Sequence, residues 1–199
     1  MIKVILIISK HSGCGQTTVA VNLASGLLHK GYRVLIGDTG QNGKLHNWLG
    51  INQQADQTID LHNIKNNAPI KILNSRMGID LLDLFLRPGN FPETIVCVSD
   101  LGKLEYDYLL LQPTYEEDCR RLNTIADAVI ACTDLSHANE LEELLALEKC
   151  LQASMGKANS IDLILPNKIN TKEWKHNSQQ LFALADYFRY EKIADPLPT

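Results

Sequence analysis

Residues 9–18 are the segment of the sequence whose residue types and spacing best suit a binding site. They read Ser-Lys-His-Ser-Gly-Cys-Gly-Gln-Thr-Thr, after a continuous apolar run and before an amphipathic stretch. A glycine-rich turn from a strand into a helix points several backbone N–H groups at one place, and the helix dipole adds about half a positive charge there. The chemistry that this segment predicts is the binding of a phosphate group.

The same segment only partly matches the phosphate-loop pattern G-x-x-x-x-G-K-[ST]. Gly15 and Thr17 fit the pattern, whereas Lys10 stands where its first glycine should be and Gln16 where its lysine should be. A tight turn between a strand and a helix, which needs glycines only for its backbone conformation, would have a similar sequence. These residues alone do not decide between two interpretations of the segment, a phosphate-binding site and a structural turn.

Short apolar runs alternate with amphipathic stretches along most of the chain, and these elements must position the loop. Strands are predicted at residues 2–9, 32–36, 70–73, 79–85, 106–111, 127–131 and 161–165. Helices are predicted at residues 17–30, 92–104, 117–126, 137–153 and 171–187. This alternation predicts an α/β fold with a mostly parallel sheet and helices on both faces, in which ligands bind at the carboxyl ends of the strands.

Length and composition limit the class of protein. At about 150 residues per domain, the 199 residues predict a single domain over residues 1–199, with the polar stretch 51–67 as a mobile insert. A hydrophobic content of 45% is too high for a disordered chain, and a net charge of −4 argues against gripping nucleic acid by bulk charge. No apolar run approaches the roughly 18 residues of a membrane span, and we expect no signal peptide. The five cysteines lack CxxC spacing, which predicts reduced thiols in the cytoplasm.

Six segments, taken in order, resemble the ParA/MinD family of P-loop ATPases, and residues 41–50 and 126–130 are two of them. Laid on the family's loop K-G-G-x-G-K-[ST]-T, residues 11–18 agree at Gly13, Gly15, Thr17 and Thr18. Residues 31–38 look like the family's G-x-[KR]-V-L-L-I-D strand, and residues 106–111 look like the strand before its Walker B aspartate. Residues 165–168 resemble a later strand that carries an adenine-reading asparagine. The resemblance extends from residue 1 to about residue 170.

The resemblance implies a P-loop NTPase fold, ATP or ADP with Mg²⁺ as the cofactor, and a homodimer or a heterodimer with a ParA/MinD-like relative. It also implies a magnesium ligand at Thr17 and, if the protein hydrolyses ATP, a water-orienting role for Asp38. The residues that it assigns to nucleotide binding are Lys10, His11, Ser12, Gly13, Cys14, Gly15, Gln16, Thr17, Thr18 and Asn167.

Charged side chains that the family uses are missing from four of the matching positions. The signature lysine, which reaches the partner's nucleotide, falls on His11, and the lysine that bridges the β- and γ-phosphates falls on Gln16. The Walker B carboxylate falls on Gln112, and the second acidic residue after switch I falls on Gly40. Each lost lysine removes a charge-assisted hydrogen bond worth about 1.5–3 kcal/mol, and phosphoryl transfer depends almost wholly on such charges.

These departures predict a non-hydrolysing pseudo-ATPase that acts as a binding, dimerising or regulatory partner. The alternative is an active ATPase that positions or partitions cargo, with Lys10 or a lysine supplied in trans replacing the missing ones. A third hypothesis is a domain that binds another anion, such as sulfate or a phosphorylated metabolite, in the same loop.

Three further features favour structural roles. Cys119 is spaced from Gln112 as a cluster cysteine is from the Walker B aspartate of the nitrogenase iron protein, but the context of its upstream partner, Cys97, differs, so we expect no iron–sulfur cluster. The lysines around Trp174 are too few for more than a shallow salt dependence, which argues against DNA binding. These lysines are Lys168, Lys172 and Lys175. Residues 194–199 lack the basic amphipathic helix by which MinD-type proteins hold membranes.

Overall fold

The computed structural model of the chain describes residues 2–39, 44–51, 58–62, 69–83, 105–114, 116–135, 139–152 and 161–197. The strands are Lys3–Ile8 (β1), Val34–Asp38 (β2), Thr58–His62 (β3), Pro69–Leu73 (β4), Asp80–Asp83 (β5), Tyr108–Gln112 (β6), Ala128–Asp134 (β7) and Leu163–Asn167 (β8). The α-helices are Gln16–His29 (α1), Lys44–Leu49 (α2), Glu116–Asn123 (α3), Glu140–Gln152 (α4) and Trp174–Phe188 (α5). Short 3₁₀ helices occupy Thr171–Glu173 and Tyr190–Lys192.

These strands form one sheet in the order β3-β4-β5-β2-β6-β1-β7-β8. From β5 to β8 every neighbouring pair is parallel, whereas β4 runs antiparallel to both β3 and β5. The predicted α/β class with a mostly parallel sheet is therefore confirmed. The antiparallel edge was not predicted.

Helices cover both faces of the sheet, and each face has its own apolar core. One core joins β1, β6, β7 and β8 to helices α3, α4 and α5 through buried residues such as Leu122, Leu144 and Leu184. The other packs α1 and α2 against the sheet through residues such as Ala24 and Leu49. Since β1 and β6 are covered on both sides, they are apolar almost throughout instead of alternating. None of the helices in the described ranges is both long enough and apolar enough to cross a membrane.

The sequence pattern located most elements to within a few residues. The main exception is β3, which lies inside the polar stretch 51–67 and pairs with β4 at the edge of the sheet. Ile59 and Leu61 alternate with polar residues there, but the surrounding glutamines and asparagines hide this period-two pattern. The predicted helix at 92–104 lies outside the described residues.

The topology brings four chain segments to one edge of the sheet. Strands β1, β2, β6 and β8 all end there, because they run in the same direction. Asp38 at the end of β2 is the pairing partner of Gln112 at the end of β6. Asn167, the last residue of β8, is likewise paired in register with Asp134 of β7. The turn that follows β1 lies among these ends.

Candidate functional site

The turn between β1 and α1 has a backbone that only glycine fits at two positions. Gly13 and Gly15 have φ angles of 97° and 86°, in the left-handed region that disfavours other residues. A Cβ atom on Gly15 would lie 1.9 Å from Nδ2 of Asn167. The carbonyl of Gly15 accepts the N–H of Val19 at 2.9 Å, which starts α1 directly behind the turn.

This turn lines a cavity of about 330 Å³ at the carboxyl edge of the sheet. The N-terminus of α1 therefore faces a polar recess, as a phosphate site requires. Eight of the ten residues predicted to bind nucleotide line it, and Cys14 and Asn167 do not. The lining residues are Ser9, Lys10, His11, Ser12, Gly13, Gly15, Gln16, Thr17, Thr18, Asp38, Gln112, Thr114 and Lys168.

Gln16, at the position of the family's bridging lysine, is engaged by the protein itself. Its Nε2 donates to the carbonyl oxygens of Ile7 at 2.7 Å and Pro113 at 3.0 Å. The hydroxyl of Ser9 lies 3.1 Å from its Oε1. Both amide protons are thus used to tie the end of β1 to the residue after β6, and neither is left for a ligand.

Gln112 and Thr17, at the two positions that the resemblance assigns to magnesium binding, bond to each other. Nε2 of Gln112 donates to Oγ1 of Thr17 at 2.7 Å. Gln112 is only 9% exposed, and its Oε1 has no hydrogen-bond partner among the described residues. Mg²⁺ prefers carboxylate and water oxygens in octahedral geometry. A neutral amide whose N–H points at the threonine does not meet that requirement, so these two residues do not fit a magnesium ion.

Lys10, the alternative source of positive charge, points toward α3. Its Nζ lies 3.3 Å from Oε1 of Glu116, and both side chains are substantially exposed. A surface ion pair of this kind contributes about 0–1 kcal/mol. Lys10 can therefore leave Glu116 for a ligand at little energetic cost.

Lys168 lines the cavity, although no ligand-binding role was predicted for it from the sequence. It directly follows β8 with a φ angle of 56°, which is strained for a lysine. Its Nζ lies 3.9 Å from the point where a Cβ on Gly13 would be. Among the described residues no hydrogen-bond or ion-pair partner of Nζ is found. Its position directly after the last residue of a parallel strand was the signal that could have identified it.

Asn167 packs against the loop at Cys14 and Gly15. Its Nδ2 donates to the carbonyl of Cys14 at 3.0 Å, which holds the turn in place. The adenine-reading role predicted for Asn167 stays a prediction. Asp38 lines the cavity, while Gly40 lies outside the described residues.

The described cysteines are free, and their surroundings keep them unreactive. Burial raises the pKa of both Cys119 and Cys132 to about 12, so these thiols stay protonated near neutral pH. Burial, with the nearby Glu140 carboxylate, also raises the pKa of Cys14 in the loop. Cys97 lies outside the described residues.

A protein-family model matches most of the chain and identifies its family. The model of the CobQ/CobB/MinD/ParA nucleotide-binding domain matches residues 5–186. The chain belongs to this family. The resemblance to ParA and MinD proteins is thereby confirmed, and the phosphate-binding role of residues 9–18 stays a prediction.

Relatives and solved structures agree with this family assignment. The probable plasmid-partitioning protein ParA of Thermus thermophilus is 31% identical over 112 residues, which are 50% of this chain and 34% of that protein. An uncharacterized protein of Mycobacterium tuberculosis is 28% identical over 149 residues, 66% of this chain and 44% of that protein. The chain thus spans less than half the length of these curated relatives.

Two solved structures show the same fold. The MinC:MinD cell division complex of Aquifex aeolicus aligns with a TM-score of 0.76 at 19% identity, covering 98% of this chain and 81% of that one. Cobyrinic acid a,c-diamide synthase of Mycobacterium smegmatis, with bound ATP analog and magnesium, aligns with a TM-score of 0.72 at 20% identity, covering 100% and 87%. The P-loop NTPase fold of the ParA/MinD type is therefore confirmed.

Proposed function

We propose that this protein binds the phosphates of ATP or ADP in the cavity at residues 9–18 and does not hydrolyse ATP. It acts instead as a binding, dimerising or regulatory partner. The observation that carries this proposal is the hydrogen bond between Gln112 and Thr17, because it joins the two positions that would otherwise hold a catalytic metal ion.

Binding is supported by what the loop keeps. The glycine backbone and the N-terminus of α1 together offer several N–H donors to one anion. Lys168 adds a cation beside Gly13 and lines the same cavity as the loop. A hydrogen bond from a charged donor contributes about 1.5–3 kcal/mol, which compensates for one of the two missing lysines.

The absence of hydrolysis is supported by what the loop lacks. Charge that develops on the transferred phosphoryl group is stabilised mainly by lysine, arginine and metal ions. Here Gln16 is neutral and its N–H groups are committed to Ile7 and Pro113. The site would bind a nucleotide but would lack the charged groups that lower the activation barrier of phosphoryl transfer.

The solved relatives support nucleotide as the ligand class. Cobyrinic acid a,c-diamide synthase of Mycobacterium smegmatis was solved with an ATP analog and with ADP, each with magnesium. The Aquifex MinD protein was solved in complex with MinC, which supports a partner protein for this chain as well. A homodimer or a heterodimer with a ParA/MinD-like relative is the assembly that we propose.

The test is a calorimetric titration of the protein with ATP, ADP and inorganic sulfate, combined with an assay of phosphate release. The proposal predicts binding of both nucleotides, weaker binding of sulfate, and no release of phosphate above that of a blank. Nucleotide-independent binding of sulfate alone would favour the third hypothesis, a site for another anion, over ours.

An active ATPase is the second candidate function, because Lys10 lines the cavity and its ion pair with Glu116 is weak. That function predicts phosphate release that Lys10→Met abolishes. Lys30→Met, on an exposed lysine at the far end of α1, is the matched control.

A further inference from the structure

A second cluster of ligand-type side chains lies where the loop meets the start of α4. It consists of His11 in the loop and of Glu140 and Glu143 in the first turn of α4. One ring nitrogen and one oxygen from each carboxylate lie within 4.8 Å of one another. The Nε2 atom of His11 and a carboxylate oxygen of Glu143 are in direct contact.

The backbone fixes these three side chains independently of one another. Glu140 and Glu143 are three residues apart on a helix, so that they share one face. The carbonyl of His11 lies 3.1 Å from the hydroxyl of Ser9, which restrains the loop. The hydroxyl of Thr133, in β7, donates to the carboxylate of Glu140. Bonds of this kind to the outer side of a ligand are typical of metal sites, since they hold the ligand in orientation.

The cluster differs from an ordinary surface ion pair because one of its carboxylates is buried. Glu140 is 2% exposed, and Glu143 is 26% exposed. Beside the His11–Glu143 contact, the deeply buried Glu140 carboxylate places an oxygen within 4.8 Å of the ligand atoms of both residues. Placing a carboxylate in the interior is unfavourable unless positive charge compensates it. A divalent cation at this point would compensate both carboxylates at once.

We infer that His11, Glu140 and Glu143 form a binding site for a divalent transition metal of the Zn²⁺ class. One imidazole with two carboxylates suits Zn²⁺ and excludes a preference for Mg²⁺, which avoids nitrogen ligands. Three protein ligands leave a tetrahedral ion one position for water or for an anion from the cavity, which His11 also lines. The inference does not depend on nucleotide binding.

The experiment is a calorimetric titration of the full chain with Zn²⁺, in the presence of millimolar Mg²⁺ and without nucleotide. We expect one Zn²⁺ ion per chain. His11→Ala and Glu143→Gln should each weaken binding by about 100-fold or more, since even the loss of an outer hydrogen bond to a ligand costs 10- to 100-fold. Glu140→Gln keeps an acceptor for Thr133 and should weaken binding by at least about 10-fold.

Matched controls exist on the same elements. Glu142→Gln removes an exposed carboxylate from the same turn of α4, and His29→Ala removes an exposed imidazole at the end of α1. Both should bind Zn²⁺ as the unchanged protein does. The inference is overturned if the unchanged protein shows no stoichiometric binding, or if His11→Ala and Glu143→Gln bind as tightly as their controls. Because nucleotide is absent throughout, either outcome leaves the proposed function untouched.

Discussion

The loop at residues 9–18 and the end of strand β6 face the same cavity, but they differ in what they offer a ligand. The loop presents backbone N–H groups in a geometry fixed by Gly13 and Gly15. The end of β6 presents Gln112, a neutral side chain already bonded to Thr17. Backbone geometry can thus persist while the side chains around it change, since it depends on glycines and a helix and not on charge. Binding and catalysis are separable for that reason.

A substitution that disturbs the loop backbone should have the largest effect. In Gly15→Ala the new Cβ would lie 1.9 Å from Asn167 Nδ2, at a φ angle of 86°. We expect the free energy of unfolding to fall by about 2–3 kcal/mol, from left-handed strain together with displacement of Asn167, and nucleotide binding to be lost. Urea unfolding and calorimetry measure the two effects.

Gly26→Ala is the matched control for this substitution. It lies in the middle of α1, and a Cβ there meets nothing within 4 Å. We expect it to stabilise the protein by about 0.5–1 kcal/mol and to leave ADP affinity unchanged. Equal effects of the two substitutions would contradict the role given to the loop backbone.

Removing the Lys168 cation beside Gly13 should weaken nucleotide binding. Lys168→Met should weaken ADP binding by about 10- to 150-fold, which corresponds to the loss of one charge-assisted hydrogen bond. Lys172→Met, an exposed lysine on the following 3₁₀ helix, should change ADP affinity less than about twofold, because surface charges contribute little. If both variants bind ADP alike, Lys168 does not reach the phosphates.

The two glutamines should differ in their contribution to stability. Gln16→Leu leaves the carbonyls of Ile7 and Pro113 without this donor and should lower the free energy of unfolding by about 2 kcal/mol. Gln112→Leu removes one hydrogen bond but also a buried oxygen that has no hydrogen-bond partner in the described part of the chain, and should cost less than about 1 kcal/mol. Urea unfolding of both variants checks this order, and a reversed order would mean that the Gln16 contacts do not hold the loop.

Another effect concerns the pH dependence of stability, through the buried thiols of the sheet and of α3. Burial raises the pKa of Cys132 to about 12 from 9.0. Because the folded value lies above the unfolded one, this contribution to stability is complete below about pH 9 and is lost as the pH rises toward 12. Cys132→Ala should therefore flatten the decline of stability between about pH 9 and pH 10.5, measured by urea unfolding. An unchanged slope would show that the thiol ionises as readily in the folded protein.

The parts of the fold and of the site that could be predicted are those encoded by neighbouring residues in the sequence. The strands β1, β2, β6, β7 and β8 and the turn after β1 follow from local apolar runs and glycines. The contacts that decide the chemistry are not local. Lys168 reaches Gly13 only through the sheet order, and the sequence showed that Gln16 is not a lysine but not that its amide is bonded to two distant carbonyls. The cluster of His11 with Glu140 and Glu143 was missed for the same reason.

If the loop binds phosphate without a functional metal position, Mg²⁺ should have little effect on the ATP affinity of the protein. The comparison is between the unchanged protein and a variant that carries His11→Lys, Gln16→Lys and Gln112→Asp. We predict that Mg²⁺ leaves the ATP affinity of the unchanged protein within about twofold and raises that of the variant by about 10-fold or more, as one restored charged contact would. An unchanged protein whose ATP affinity already rises with Mg²⁺, and which then releases phosphate, would contradict the account.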